Sequence, residues 1–278
     1  MRDPGPAFER LVQIMRALRA PGGCPWDREQ TLASLRPFVL EETYELLEAI
    51  DHDDMASLRE ELGDFLYEAV FLAQIAEEAG HFSISDAVHG IADKLVRRHP
   101  HVFTPDGTPL ADAAPRISTG EVVRKWEDLK ADERGAAGRP DRTILSGVPR
   151  ALPSLLRAYE LSARAAAVGF DWVEPAQVLD KIEEELAELR EAVALHGAGS
   201  ARAEDELGDV FFAMANLARK LGQEPEAALR MANDKFQRRF DWMERTARTE
   251  GLALKDLTLD ALEALWVRAK DALASDLP

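Results

Sequence analysis

The chain has 278 residues, 46% of them apolar, and a formal net charge of -17 from 34 basic and 51 acidic side chains. That length fits one or two domains with cores of their own, and so acidic a surface repels polyphosphate backbones, which argues against nucleic acid as a partner. A single cysteine, Cys24, excludes intramolecular disulfides and multi-cysteine zinc sites, and suits a protein of the reducing cytoplasm.

The first stretch, "MRDPGPAFERLVQIMRAL", has early Pro and Gly and no unbroken apolar run, so it is not expected to be a signal peptide. Apolar residues at three- and four-residue steps then predict amphipathic helices over Leu40–Ile50 and Leu62–Glu78. The most apolar stretch, "FLYEAVFLAQIA", is interrupted by Glu68 and too short to cross a bilayer, so no membrane association is expected. A Pro- and Gly-rich tract from His99 to Pro115 reads as a loop, with His99 and His101 in structural roles. Glycine, proline and charge gather again before Pro153, which predicts a linker over 134–153 between units 1–133 and 154–278. Helical periodicity resumes over Val178–Leu195 and Asp209–Leu221. Nothing alternates with period two for long enough to predict a strand, so the fold class is all-α.

The two halves match block by block. "PWD" at Asp27 answers "GFDW" at Asp171, "EETYE" answers "EELAE", and "ELGD" occurs in both. "DKLVRR" at Lys94 answers "DKFQRR" at Lys235, and "WEDLK" at Trp126 answers "WVRAK" at Trp266. Five blocks in one order, with only a slight drift in spacing, predict a tandem duplication.

Each unit carries a Glu-x-x-Glu pair, Glu42 and Glu45 or Glu185 and Glu188. Each also carries a Glu-x-x-Asp pair, Glu61 and Asp64 or Glu206 and Asp209. Residues three apart share a helix face, so an antiparallel hairpin would bring four carboxylates together. Two like charges about 4 Å apart repel by about 4 kcal/mol at an effective dielectric near 20. Such a set needs a cation, and all-oxygen ligands suit Mg²⁺ first and Mn²⁺ second. One Glu-Glu pair alone would read as a solvated helix face; two motifs, ordered and repeated, point to a metal site.

Basic residues follow the carboxylates. Lys94 and Arg98, and Lys235 and Arg239, lie four apart on a helix face, where they could neutralise phosphate oxygens or pair with acidic neighbours. Trp126 and Trp266 each precede a lysine by four residues, Lys130 and Lys270, as core side chains or as stacking platforms. A di-iron bundle would need two Glu-x-x-His motifs, and the chain offers only Glu78 with His81, around Gly80. No P-loop or nucleophile elbow is present.

At these residues the sequence resembles the MazG nucleoside triphosphate pyrophosphohydrolases. The resemblance runs over nearly the whole chain, from "CPWDREQTLASLRPFVLEETYELLEAI" through "KWEDLK" to "VGFDW", "NLAR" and "ANDKFQRRF". It implies an all-α fold of carboxylate-bearing helix hairpins, each completed to a four-helix core, in a homodimer. It implies Mg²⁺-dependent cleavage of a nucleoside triphosphate to the monophosphate and pyrophosphate. Position by position it carries catalytic and metal-holding roles onto Glu185, Glu188, Glu206 and Asp209, and phosphate binding onto Lys235, Arg239 and Lys270, with Trp266 beside them. Arg202 stands where the family often has lysine, and its first-unit counterpart is the uncharged Ser57; Asn216 is answered by Phe71. The second unit is therefore expected to carry most of the turnover. The competing expectation is a nucleotide-sensing or scaffold protein that binds without turnover.

Overall fold

A computed structural model describes residues 3–110, 118 and 143–274. The chain divides into two compact units, Met1–Pro140 and Asp141–Pro278. Trp126, Lys130 and much of the expected linker lie outside the described residues. Ten α-helices form among the described residues, with no β-strand beyond an isolated bridge between Phe103 and Pro109.

The first unit comprises α1 (Gly5–Arg19), α2 (Pro25–Glu29), α3 (Arg36–Asp51), α4 (Met55–Glu78) and α5 (Ile84–Arg98). Helix α4 is the centre: α1, α3 and α5 all pack against it. Three residues separate α3 from α4, and the two helices pack on each other as a hairpin. The turn is closed by Asp53 in the left-handed region (φ 53°) and by Asp54, whose carboxylate accepts from the backbone N–H groups of Ala56 and Ser57. Met15, Leu35, Val70 and Phe71 form the buried core beneath the hairpin. Glu78, the carboxylate of the abortive iron motif, is held by Arg19 at 2.6 Å. His99 donates from Nδ1 to the Leu95 carbonyl at 2.7 Å, a structural contact.

The second unit comprises α6 (Ser154–Ala166), α7 (Pro175–His196), α8 (Ala201–Lys220), α9 (Pro225–Thr249) and α10 (Leu259–Ala272), with a 3₁₀ turn at Leu254–Asp256. Helices α7 and α8 make its hairpin, and α6 packs on α8. Gly197 ends α7 with φ 89°, a conformation that a β-carbon would strain. Ser200 starts α8 by accepting from the Ala203 N–H at 3.2 Å. Helices α9 and α10 pack through Met243, Ala247, Leu265 and Ala269.

Because Ser200 holds the first turn of α8, and α8 carries Glu206, the cap is directly testable. Ser200→Ala should lower stability by about 1 kcal/mol in chemical denaturation. An unchanged unfolding midpoint would show that the cap contributes nothing.

Candidate metal and nucleotide site

In the second unit, α7 presents Glu185 and Glu188, and α8 presents Glu206 across the hairpin. Their carboxylate oxygens can lie within 4.8 Å of one another. The environments differ. Glu206 is 1% exposed and Glu185 7% exposed, whereas Glu188 faces solvent. Arg202, one turn before Glu206, pairs with one of its oxygens. The other oxygen, Oε2, is buried without a hydrogen-bond partner. Burial pushes the Glu206 carboxyl above its ordinary range; Arg202 pulls it back, and Glu188 and Glu185 push it further up.

Lys181 was not singled out in the sequence. It meets Glu185 at 2.8 Å and Glu184 at 2.9 Å, and those bonds hold the ammonium well above the usual lysine range. Its signal was present, four residues before Glu185 on the same face, but such spacing is shared by many solvated ion pairs. Asp209 is exposed and stands outside the trio, one turn along α8. Asn216 is buried, and its Oδ1 accepts twice from Arg219, at 3.0 and 2.7 Å. Arg219 and Lys220 in turn grip Asp171, so the "GFDW" block is tied to the far end of α8.

The first unit repeats the geometry without the cations. Oxygens of Glu42, Glu45 and Glu61 also come within 4.8 Å of one another. Burial raises the Glu42 carboxyl first, then Asp64, Glu45 and Glu61. Burial also leads for Glu61, followed by repulsion from Glu45 and Asp64. Among the described residues no ion pair reaches this trio. Phe38 and Ser57 occupy the positions that Lys181 and Arg202 hold in the second unit. Asp64 is exposed. Glu68, read in the sequence only as a break in an apolar run, is buried at 6% exposure.

The basic and aromatic candidates form a separate group on α9 and α10. Arg239 lies over the Trp266 ring, 5.6 Å from its centroid, and Phe236 lies 5.2 Å from the same ring. Phe236 is more than half exposed and stacks on Phe240, so sequence reasoning missed part of an aromatic platform. Lys235 is half-buried and Lys270 exposed. No hydrogen bond among the described residues joins Lys235, Arg239 or Lys270 to the carboxylates.

A family model, the MazG nucleotide pyrophosphohydrolase domain, matches residues 30–103. A nucleoside triphosphate pyrophosphohydrolase from Escherichia coli K12 is 44% identical over 264 residues, covering 95% of this chain and 97% of its own. The chain belongs to the MazG family. A Thermotoga maritima relative, named nucleoside triphosphate pyrophosphohydrolase/pyrophosphatase MazG, is 43% identical over 270 residues, or 97% of this chain and 98% of its own. The crystal structure of a MazG-related protein from Thermotoga maritima matches 44% of this chain and 98% of its own at 30% identity, with a TM-score of 0.37.

Both trios of this MazG-family chain could hold a metal ion, and the second has the feature that asks for one: a buried carboxylate oxygen with no donor. A linkage prediction follows without any metal. A carboxyl whose folded-state pKa is raised binds more protons folded than unfolded, so its contribution to stability falls as pH rises above the ordinary value of 4.5. In chelator at pH 7, Glu206→Gln should therefore melt higher than the wild type, and the gap should close on acidification through that value. A variant that melts lower at pH 7 would mean that the Arg202 pair outweighs burial.

Proposed function

We propose that the chain hydrolyses nucleoside triphosphates, ribo- or deoxyribo-, to the monophosphate and pyrophosphate, with Mg²⁺ as its metal and Mn²⁺ as an alternative. The observation that carries this is the buried, unpartnered Glu206 Oε2 beside Glu185 and Glu188. The names of the full-length relatives support the same reaction. Glu185, Glu188, Glu206 and Asp209 would hold the cation in the second unit, and Glu42, Glu45, Glu61 and Asp64 in the first. Bound there, the ion would polarise the α-phosphate and acidify a water.

The chain's own residues do the remainder. Lys181 and Arg202 orient Glu185 and Glu206 until the site is loaded. A carboxylate not engaged by the ion takes the proton of the attacking water. Lys235, Arg239 and Lys270 neutralise the leaving pyrophosphate, and Arg202 adds charge at the mouth of the hairpin. Trp266, with Phe236, offers a face on which a base stacks.

The second unit supplies most of the turnover on this reading, because Lys181 and Arg202 have uncharged counterparts in the first. A lost charged hydrogen bond is worth about 1.5–3 kcal/mol, or roughly ten- to a hundredfold in rate. The two units are proposed as tandem copies joined by the linker.

The acting form is proposed to be a cytoplasmic homodimer. Support comes from α8, where Leu207, Phe211, Phe212 and Met214 stay exposed on an amphipathic hairpin. A second copy of that hairpin would cover them as a four-helix bundle. Among the described residues, no helix is long and apolar enough to cross a membrane.

Pyrophosphate release from a panel of NTPs and dNTPs should require Mg²⁺ and stop in chelator; binding without release would favour a sensor. Glu185→Gln should lower kcat/KM by orders of magnitude, while Glu42→Gln should leave the larger part. Equal losses, or a greater loss in Glu42→Gln, would overturn the asymmetry. Light scattering should return twice the chain mass of 30.8 kDa, and the monomer mass alone would reject the dimer.

A further inference from the structure

Arg202 is the second residue of α8, where a helix carries partial positive charge and disfavours a cation. Two acids answer the guanidinium there: Glu206, one turn on, and Asp205 at 3.3 Å. The two pairs are unequal. Asp205 is largely exposed, so its pair contributes little. Glu206 is buried; it gives one oxygen to Arg202 and keeps the other bare.

Glu206 thus has two claims on it. It is the main partner of Arg202, and with Glu185 and Glu188 it could hold a metal ion. A guanidinium and a divalent cation brought onto one carboxylate repel each other, so one of the groups must move. Burial and bonding say which. Glu206 is enclosed, whereas the Arg202 side chain is 57% exposed. Arg202 also lines an open cleft of about 610 Å³ with Asp205, Gly208 and Asp209, so a change of rotamer takes its head group into water. Lys181, the other cation of the trio, is 33% exposed and bonded to both Glu184 and Glu185, so it keeps a partner if Glu185 turns to an ion.

We propose that Arg202 is a displaceable counter-ion: a divalent cation entering the second trio takes Glu206 from it, and the freed guanidinium turns into the cleft towards a phosphate oxygen. The proposal rests on reading the trio as the metal site of a triphosphate hydrolase. One side chain then couples the two ligands. Arg202 acts on them with opposite sign, loosening the ion and tightening the nucleotide. The first trio has Ser57 at this position, so its ion has no such arginine to displace.

The test is Mn²⁺ binding to the full chain by calorimetry, for the wild type, Arg202→Met, Arg202→Gln, Glu206→Gln and Glu42→Gln, with circular dichroism confirming the fold of each. Glu206→Gln identifies the Mn²⁺ of the second trio, and Glu42→Gln that of the first. Removing a competing charged hydrogen bond should tighten the second-trio Mn²⁺ roughly ten- to a hundredfold in both Arg202 variants. The first-trio Mn²⁺ should not change. Guanidinium NMR, with the Arg202 signals assigned from the variants, separates displacement from repulsion at a distance: Mg²⁺ should convert hindered, paired signals into freely rotating ones. Tighter binding with those signals undisturbed would overturn displacement, as would unchanged or weaker Mn²⁺ binding in the Arg202 variants. Mn²⁺ binding that Glu206→Gln leaves wholly intact would overturn the second-trio metal reading itself.

Discussion

Like charges held across a hairpin are the constraint around which each unit is organised. Helices joined by three or four residues pack here as hairpins, and the glutamates three apart on one helix meet a glutamate of the other. Their oxygens can come within 4.8 Å in both units, and in the first an apolar core packs beneath the hairpin. Carboxylates crowded on rigid elements and partly withdrawn from water are poised for a cation that brings no charge penalty of its own.

The two hairpins manage that repulsion in different ways. In the second, Lys181 and Arg202 sit one turn before the acids they neutralise, so Glu185 and Glu206 stay buried with their charge answered on one side. The open side of Glu206 is its bare Oε2. In the first, no ion pair among the described residues answers the trio, which is more open to solvent, and a further buried acid, Glu68, follows on the same helix. Two hairpins with matching carboxylate spacing thus answer their crowding in different ways. The family model covers the first hairpin, whereas the full-length relatives cover both, so membership of the family does not by itself choose between them.

The helices and the carboxylate trios were legible in the sequence because both depend on local period. A 3.6-residue repeat places Glu42 and Glu45, or Glu185 and Glu188, on one face whatever surrounds them. Side chains whose meaning depends on burial were less legible. Lys181 looks like one of many solvated pairs until Glu185 is seen to be buried. Glu68 looks like a polar interruption of "FLYEAVFLAQIA" until its oxygen is found enclosed and unpaired. Phe236, unremarked in the sequence, stands open beside Trp266 and Arg239. Tertiary packing decides each of these, and a one-dimensional period cannot report it.

Anomalous diffraction from crystals of the chain grown with Mn²⁺ tests the central claim most directly. If the crowded glutamates exist to hold a divalent ion, an anomalous peak will lie at ligand distance, roughly 2.0–2.3 Å, from oxygens of Glu185, Glu188 and Glu206. Peaks confined to other carboxylates, or an undisturbed Arg202–Glu206 pair with no metal near it, would contradict the account.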